Sequence, residues 1–106
     1  MTCSTHVLDV VLGRPAVGVA VTLHPGAGPQ ERAETDADGR VRFAAGLAPG
    51  VHRLSFATGE WFAAQGRASL HPEVVVAFTV PAESPAGHVH LPLLLSPFSY
   101  TTYRGS

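Results

Sequence analysis

The alternation of Val17, Val19, Val21 and Leu23 with small or polar neighbours constrains this chain more than any other feature. Strict period two places these four side chains on one face of an extended strand, because successive Cβ atoms point to opposite faces. A strand with one apolar face needs a second apolar layer to cover it. The remaining sequence offers that layer in short patterned runs separated by Gly, Pro and Asp. Strands are predicted at 6–12, 17–24, 32–35, 40–43, 52–57, 73–80, 88–95 and 99–104. A turn signal falls roughly every 10 residues, the spacing of a β-sandwich. Asp36-Ala37-Asp38-Gly39 separates the third run from the fourth as a turn in which Gly39 takes positive φ. Two loops are predicted at 25–29 and 81–87. The segment 59–65 breaks the strand pattern with good helix formers, and Gly66 follows as a C-terminal stop. The expected fold is all-β: a sandwich of about eight strands in two sheets, with one short helix after the fifth strand, in a single domain spanning 1–106.

Composition narrows the function. The chain has 106 residues, 45% of them apolar, which suffices for one core. Its formal charge is −1, and its seven cationic side chains are scattered. Nucleic acid binding needs a basic stripe that displaces counterions, so no nucleic acid partner is expected. The apolar runs fall far short of the roughly 20 residues that cross a bilayer, so no membrane partner is expected either. No signal-peptide pattern opens the sequence, and the lone Cys3 has no partner for an internal disulfide. A cytoplasmic location is expected.

Candidate chemistry concentrates in a few side chains. His88 and His90 stand two apart in one predicted strand, so both rings leave the same face. Three readings stay open for the pair: metal ligation completed by His6 or another His, metal-free acid/base work, or one solvent-facing and one structural imidazole. There is no Cys partner, no HExxH and no nearby carboxylate cluster. His6 lies in the first strand, and the odd spacing sends Asp9 to the opposite face. Arg40 follows the Asp-Gly turn; it is a surface charge that limits edge pairing or a planar donor aimed at carbonyls or an anion. Tyr103 is a sheet aromatic or a polar handle in a pocket. Trp61 and Phe62 are expected on the core face of the helix. Phosphate loops, GxSxG elbows and paired carboxylates are missing, which removes those reaction classes.

Read together, these residues resemble the 5-hydroxyisourate hydrolases, enzymes of purine breakdown with the transthyretin fold. The resemblance spans essentially the whole chain. It rests on Ser4-Thr5-His6-Val7-Leu8-Asp9, Gly13-Arg14-Pro15-Ala16, Thr35-Asp36-Ala37-Asp38-Gly39-Arg40, His88-Val89-His90-Leu91-Pro92-Leu93-Leu94-Leu95-Ser96-Pro97 and the terminal Tyr103-Arg104-Gly105-Ser106. Val89 stands where the family often has an aromatic, and Leu91 where Val is common. The resemblance implies a transthyretin-like sandwich that opens the ring of 5-hydroxyisourate in urate degradation. It makes His6 and His90 catalytic and Arg40 and Tyr103 substrate-binding, with His88, Ser106 and the terminal carboxylate in supporting roles. It implies no metal, no cofactor, and a homotetramer whose sites lie between dimers. The alternative is a transthyretin-like carrier of a small ligand without catalysis.

Overall fold

The computed structural model describes residues 1–83 and 86–106; Ser84 and Pro85 of the predicted loop at 81–87 lie outside the described residues. The elements run β1 (Thr2–Asp9), β2 (Arg14–Pro15), β3 (Ala20–His24), β4 (Glu31–Glu34), β5 (Arg40–Arg42), β6 (Gly50–Phe56), α1 (Thr58–Ala63), β7 (Val74–Val80), β8 (His88–Ser96) and β9 (Ser99–Thr102). Two sheets result. One has the order β2-β1-β8-β9 with β5 also on β1, and the other the order β4-β3-β6-β7. Val7 and Leu93 face Val21, Leu23, Leu54 and Phe56 across the sandwich, and all six are at most 1% exposed.

All eight predicted strands form, and the one helix follows the fifth of them. A ninth strand, β2, falls where a stop was expected, because Leu8 and Asp9 pair with Pro15 and Arg14. The helix ends as Gly66 requires: at φ +67° it lets the Arg67 N–H reach back to the Phe62 carbonyl at 3.0 Å. Phe62 is buried, whereas Trp61 packs only partly and donates its indole N–H to the Val17 carbonyl at 2.7 Å.

Three expectations are corrected. The first strand runs Thr2–Asp9 rather than 6–12, because Cys3 and Thr5 as well as Val7 and Asp9 point inward. Val10, Val11 and Leu12 form an exposed turn instead, at 52%, 61% and 47% exposure. Asp9 ends the strand: its Oδ1 accepts the Val11 and Leu12 amides at 3.1 and 3.0 Å, an interaction that closes a turn on the strand end. Val17 does not share the buried face of Val19, Val21 and Leu23 but sits half-exposed before Gly18, whose φ of +81° breaks the extended run. The last strand ends at Thr102 rather than 104.

Asp9 is buried, and its Oδ2 pairs with the Arg67 guanidinium at 2.6 Å. Burial alone would raise its pKa, but the Arg67 bond and the two turn amides outweigh that and hold the carboxyl below its usual value. One carboxylate thereby ties β1, the following turn and the segment after α1. Asp9→Asn should lower unfolding free energy by about 3 kcal/mol, the order expected when one partner of a buried ion pair is removed. Because the folded pKa is depressed, this contribution is present above about pH 4 and fades as pH falls through the folded value. Urea unfolding of both proteins at pH 7 and pH 3 checks this; equal stability at pH 7 would remove Asp9 from that role.

Candidate functional site

The outer face of the five-stranded sheet gathers the chemistry. β1 and β8 run parallel in register, so Thr2 lies beside His88, Ser4 beside His90 and His6 beside Pro92. On the other side of β1, β5 is antiparallel and sets Arg42 beside Ser4 and Arg40 beside His6. Side chains level with one another on adjacent strands stand close enough to interact directly. Three strands thus bring Ser4, His6, Arg40, Arg42, His88 and His90 onto one surface.

The Asp36–Gly39 turn delivers Arg40. Asp36 Oδ1 accepts the Asp38 and Arg40 amides at 2.9 Å each, and the Arg40 amide bond chiefly holds this carboxyl below its usual pKa. Gly39 has φ +76° and lies so close to β1 that any Cβ would run into the Val7 carbonyl. Its own carbonyl accepts the Val7 N–H at 2.7 Å. Among the described residues the Arg40 guanidinium makes no hydrogen bond to the protein, which leaves a permanent cation with its planar donors free for a ligand.

Hydroxyls tie the two histidines of β8 together. Thr2 Oγ1 lies 2.6 Å from His88 Nδ1, Ser4 Oγ 2.7 Å from His88 Nε2, and Ser4 Oγ 2.8 Å from His90 Nδ1. His90 Nε2 has no protein partner among the described residues. Burial pushes the His90 imidazole below its ordinary pKa, and the positive charges of Arg40, His6 and His88 add to this. His88 is lowered too, by burial and then by Arg42. Near neutral pH His90 is therefore an uncharged imidazole with Nε2 unengaged, and it accepts a proton there when its own hydrogen sits on Nδ1.

A recess of about 250 Å³ is bordered by Ser4, Asp36, Arg40, Arg42 and His90. His6 stands beside it, level with Arg40. A larger hollow of about 620 Å³ near Arg14, Trp61 and Gln65 contains no base and offers no route to water activation. The remaining histidines are engaged elsewhere. His24 bonds Ser55, His52 bridges Gly26 and Ala48, and His71 packs edge-on against Tyr100. Among the described residues no three His, Cys, Asp or Glu side chains form a group able to hold a metal ion.

Tyr103 is less closely joined to the cluster. Thr102 pairs with Leu93, the next residue of β8 toward the site is Pro92, and its nitrogen has no hydrogen to offer. The ladder opens over Tyr103 and Arg104 and closes again where the Gly105 amide donates to the His90 carbonyl at 2.8 Å. Tyr103 is 51% exposed and lies outside the recess. Gly105 is held against the site so closely that a Cβ there would come within 2.7 Å of His90 Cδ2.

Sequence reasoning named His6, His90, Arg40 and Tyr103 but assigned no role to Ser4, Asp36 or Arg42. A usable signal existed. Thr2-Cys3-Ser4 and His88-Val89-His90 both alternate polar and apolar residues, so their outward residues can meet once the two strands pair, whereas the burial of the polar Thr5 had no such signal.

Comparison with known proteins places the chain among proteins of this fold. The pattern of the family described as "HIUase/Transthyretin family" matches residues 3–105. A Caulobacter vibrioides protein named 5-hydroxyisourate hydrolase is 44% identical, over 97% of this chain and 96% of its own length. The structure of Klebsiella pneumoniae 5-hydroxyisourate hydrolase superposes with a TM-score of 0.87 and 40% identity, covering 99% of this chain and 93% of that one. Sea bream transthyretin in complex with thyroxine gives 0.84 and 34%, covering 97% of this chain and 93% of that one.

By NMR, the His90 imidazole should titrate below the ordinary histidine value of about 6.5. Gly105→Ala, by pushing the ring out of place, should move that midpoint back toward the ordinary value. An unchanged midpoint would show that Gly105 does not hold the ring.

Proposed function

The chain belongs to the HIUase/transthyretin family, and on that footing we propose that it hydrolyses 5-hydroxyisourate on the histidine and arginine face of its five-stranded sheet. The observation that carries this reading is His90: an imidazole kept neutral, with Nε2 unengaged, beside a recess that Arg40 borders. Opening a cyclic amide needs a base for the attacking water, a donor for the carbonyl oxygen that gains charge, and a proton for the leaving nitrogen.

His6 and His90 act jointly in this scheme. One takes the water proton as the C–O bond forms, and the other holds the water or protonates the ring nitrogen as the C–N bond breaks. General acid–base catalysis of this kind contributes about 10²–10⁴-fold. Arg40 donates to the substrate carbonyls and stabilises the oxyanion, since its guanidinium stays charged throughout. The resemblance assigns Tyr103 to the substrate, although within one subunit it lies outside the recess, and Gly105 brings the chain close to His90. The product is 2-oxo-4-hydroxy-4-carboxy-5-ureidoimidazoline, and the residues present complete the reaction with no metal or organic cofactor.

A carrier reading is less well supported. A channel for an apolar ligand is lined with aliphatic side chains, whereas here Val41 is the one aliphatic residue among Ser4, Thr5, Asp36, Arg40, Arg42 and His90. The recess measures about 250 Å³, below the roughly 300–1,000 Å³ of ordinary ligand pockets. A second subunit laid over the open sheet face would enclose it, as in the homotetramer with sites between dimers that the resemblance implies. No helix among the described residues is long and apolar enough to cross a membrane.

The test generates 5-hydroxyisourate in the cuvette from urate with urate oxidase and follows its ultraviolet decay. The wild-type protein should accelerate the decay well above the spontaneous rate. His6→Ala and His90→Ala should each lose about a hundredfold or more, and Arg40→Lys should also fail because it lacks the planar fork. Decay at the buffer rate from folded protein would overturn the hydrolase reading.

A further inference from the structure

Ser4 Oγ has a single proton and two imidazole neighbours, 2.7 and 2.8 Å away. It donates to one ring and accepts from the other, so the protonation of His88 Nε2 and of His90 Nδ1 is linked. Two arrangements satisfy every contact. In one, Thr2 donates to His88, His88 Nε2–H to Ser4, and Ser4 to His90 Nδ1, which leaves the His90 proton on Nε2. In the other every bond is reversed: His90 Nδ1–H donates to Ser4, Ser4 to His88 Nε2, and His88 Nδ1–H to Thr2. Only the second gives His90 a bare Nε2 beside the recess.

We propose that Ser4 and His88 are a proton relay behind His90, which sets the reactive tautomer of that ring and carries its surplus proton to solvent. The inference rests on the hydrolase reading above. The step balances. As His90 Nε2 takes a proton from water, Nδ1–H passes to Ser4 Oγ, the Ser4 proton passes to His88 Nε2, and the His88 Nδ1 proton passes through Thr2 Oγ1 to solvent. One proton enters, one leaves, and each side chain ends neutral. When Nε2 gives its proton to the leaving nitrogen, the transfers run in reverse and restore the starting state.

The surroundings explain why a relay is useful. Charge stored on His90 would face Arg40 on β5, His6 on β1 and His88 on its own strand, and burial opposes it as well. His88 faces Arg42 from β5 but is exposed, so it can hand the proton to solvent. Ser4, which also borders the recess, and His88 are positioning residues in this scheme, acting through His90.

Ser4→Ala and His88→Gln should lower kcat about tenfold or more, a share of the usual acid–base contribution, while KM stays within about twofold. Ser4→Thr, which keeps the hydroxyl, should retain most of the rate. Added imidazole should restore His88→Ala, and the wild-type solvent deuterium effect on kcat should shrink in Ser4→Ala. Thermal unfolding identifies any variant that has lost its fold, and Ser4→Thr with the imidazole rescue then decides. If Ser4→Ala and His88→Gln keep the wild-type kcat while His90→Ala is inactive, the relay is overturned and the hydrolase reading stands. Losses without imidazole rescue and with an unchanged isotope effect also overturn it. If wild-type protein leaves the decay at the buffer rate, the hydrolase reading fails first and the relay with it.

Discussion

The parallel pairing of β1 with β8 is the constraint on which the rest depends. Eight residue pairs, from Thr2 with His88 to Asp9 with Leu95, join segments more than eighty residues apart in sequence. Parallel strands carry their alternating side chains in step, so Cys3, Thr5 and Val7 point into the sandwich together with Val89, Leu91 and Leu93. The residues between them, Ser4 and His6 on one strand and His88 and His90 on the other, then emerge on the same outer face. A slip of one residue would exchange the core face for the reactive face along the whole strand. The burial of the apolar set thus fixes the geometry of the polar one.

The opposite side of β1 is shared by two short strands set end to end, β5 beside its first half and β2 beside its second. Val7 sits at the junction. Its N–H donates to Gly39 and its carbonyl accepts from Ala16, so the two neighbours meet at this residue. That junction brings the Asp36–Gly39 turn onto β1 and puts Arg40 level with His6. Two residues further along, where the strand ends, Asp9 holds the next turn and Arg67. Two carboxylates therefore organise the C-terminal half of β1, Asp36 in the turn that meets it at Val7 and Asp9 at the strand's own end.

Much of this was legible residue by residue. Glycine at 39 and 66, an alternating run at 19–23 and the valines of 74–80 carry local backbone preferences that act within a few residues. They specify a turn, a helix end and two strands without reference to the remainder of the chain. The failures are equally local. Val10, Val11 and Leu12 have strong strand propensity, yet the side chain of Asp9 takes the amides of Val11 and Leu12 and ends the strand after the Val10 N–H has reached the Leu95 carbonyl. Val17 continues the alternation in letters, but Gly18 breaks it in space. The motif residues His6, Arg40 and His90 were identified by resemblance. The surface that Ser4, Arg42 and Asp36 build with them was not.

What the sequence by itself determined is a sandwich of short strands with one helix, and which side chains have chemistry to offer, because propensity, turn geometry and alternation are properties of neighbouring residues. What the tertiary structure alone decided is which of those side chains meet. Spacing places His88 and His90 on one face but says nothing of the strand beside them. Only the register with β1 puts Ser4 between the two rings, and only the absent N–H of Pro92 opens the last ladder over Tyr103 before Gly105 closes it on His90. Register is chosen by burying the apolar faces of distant strands together, a sum over the whole core that no local stretch of sequence contains.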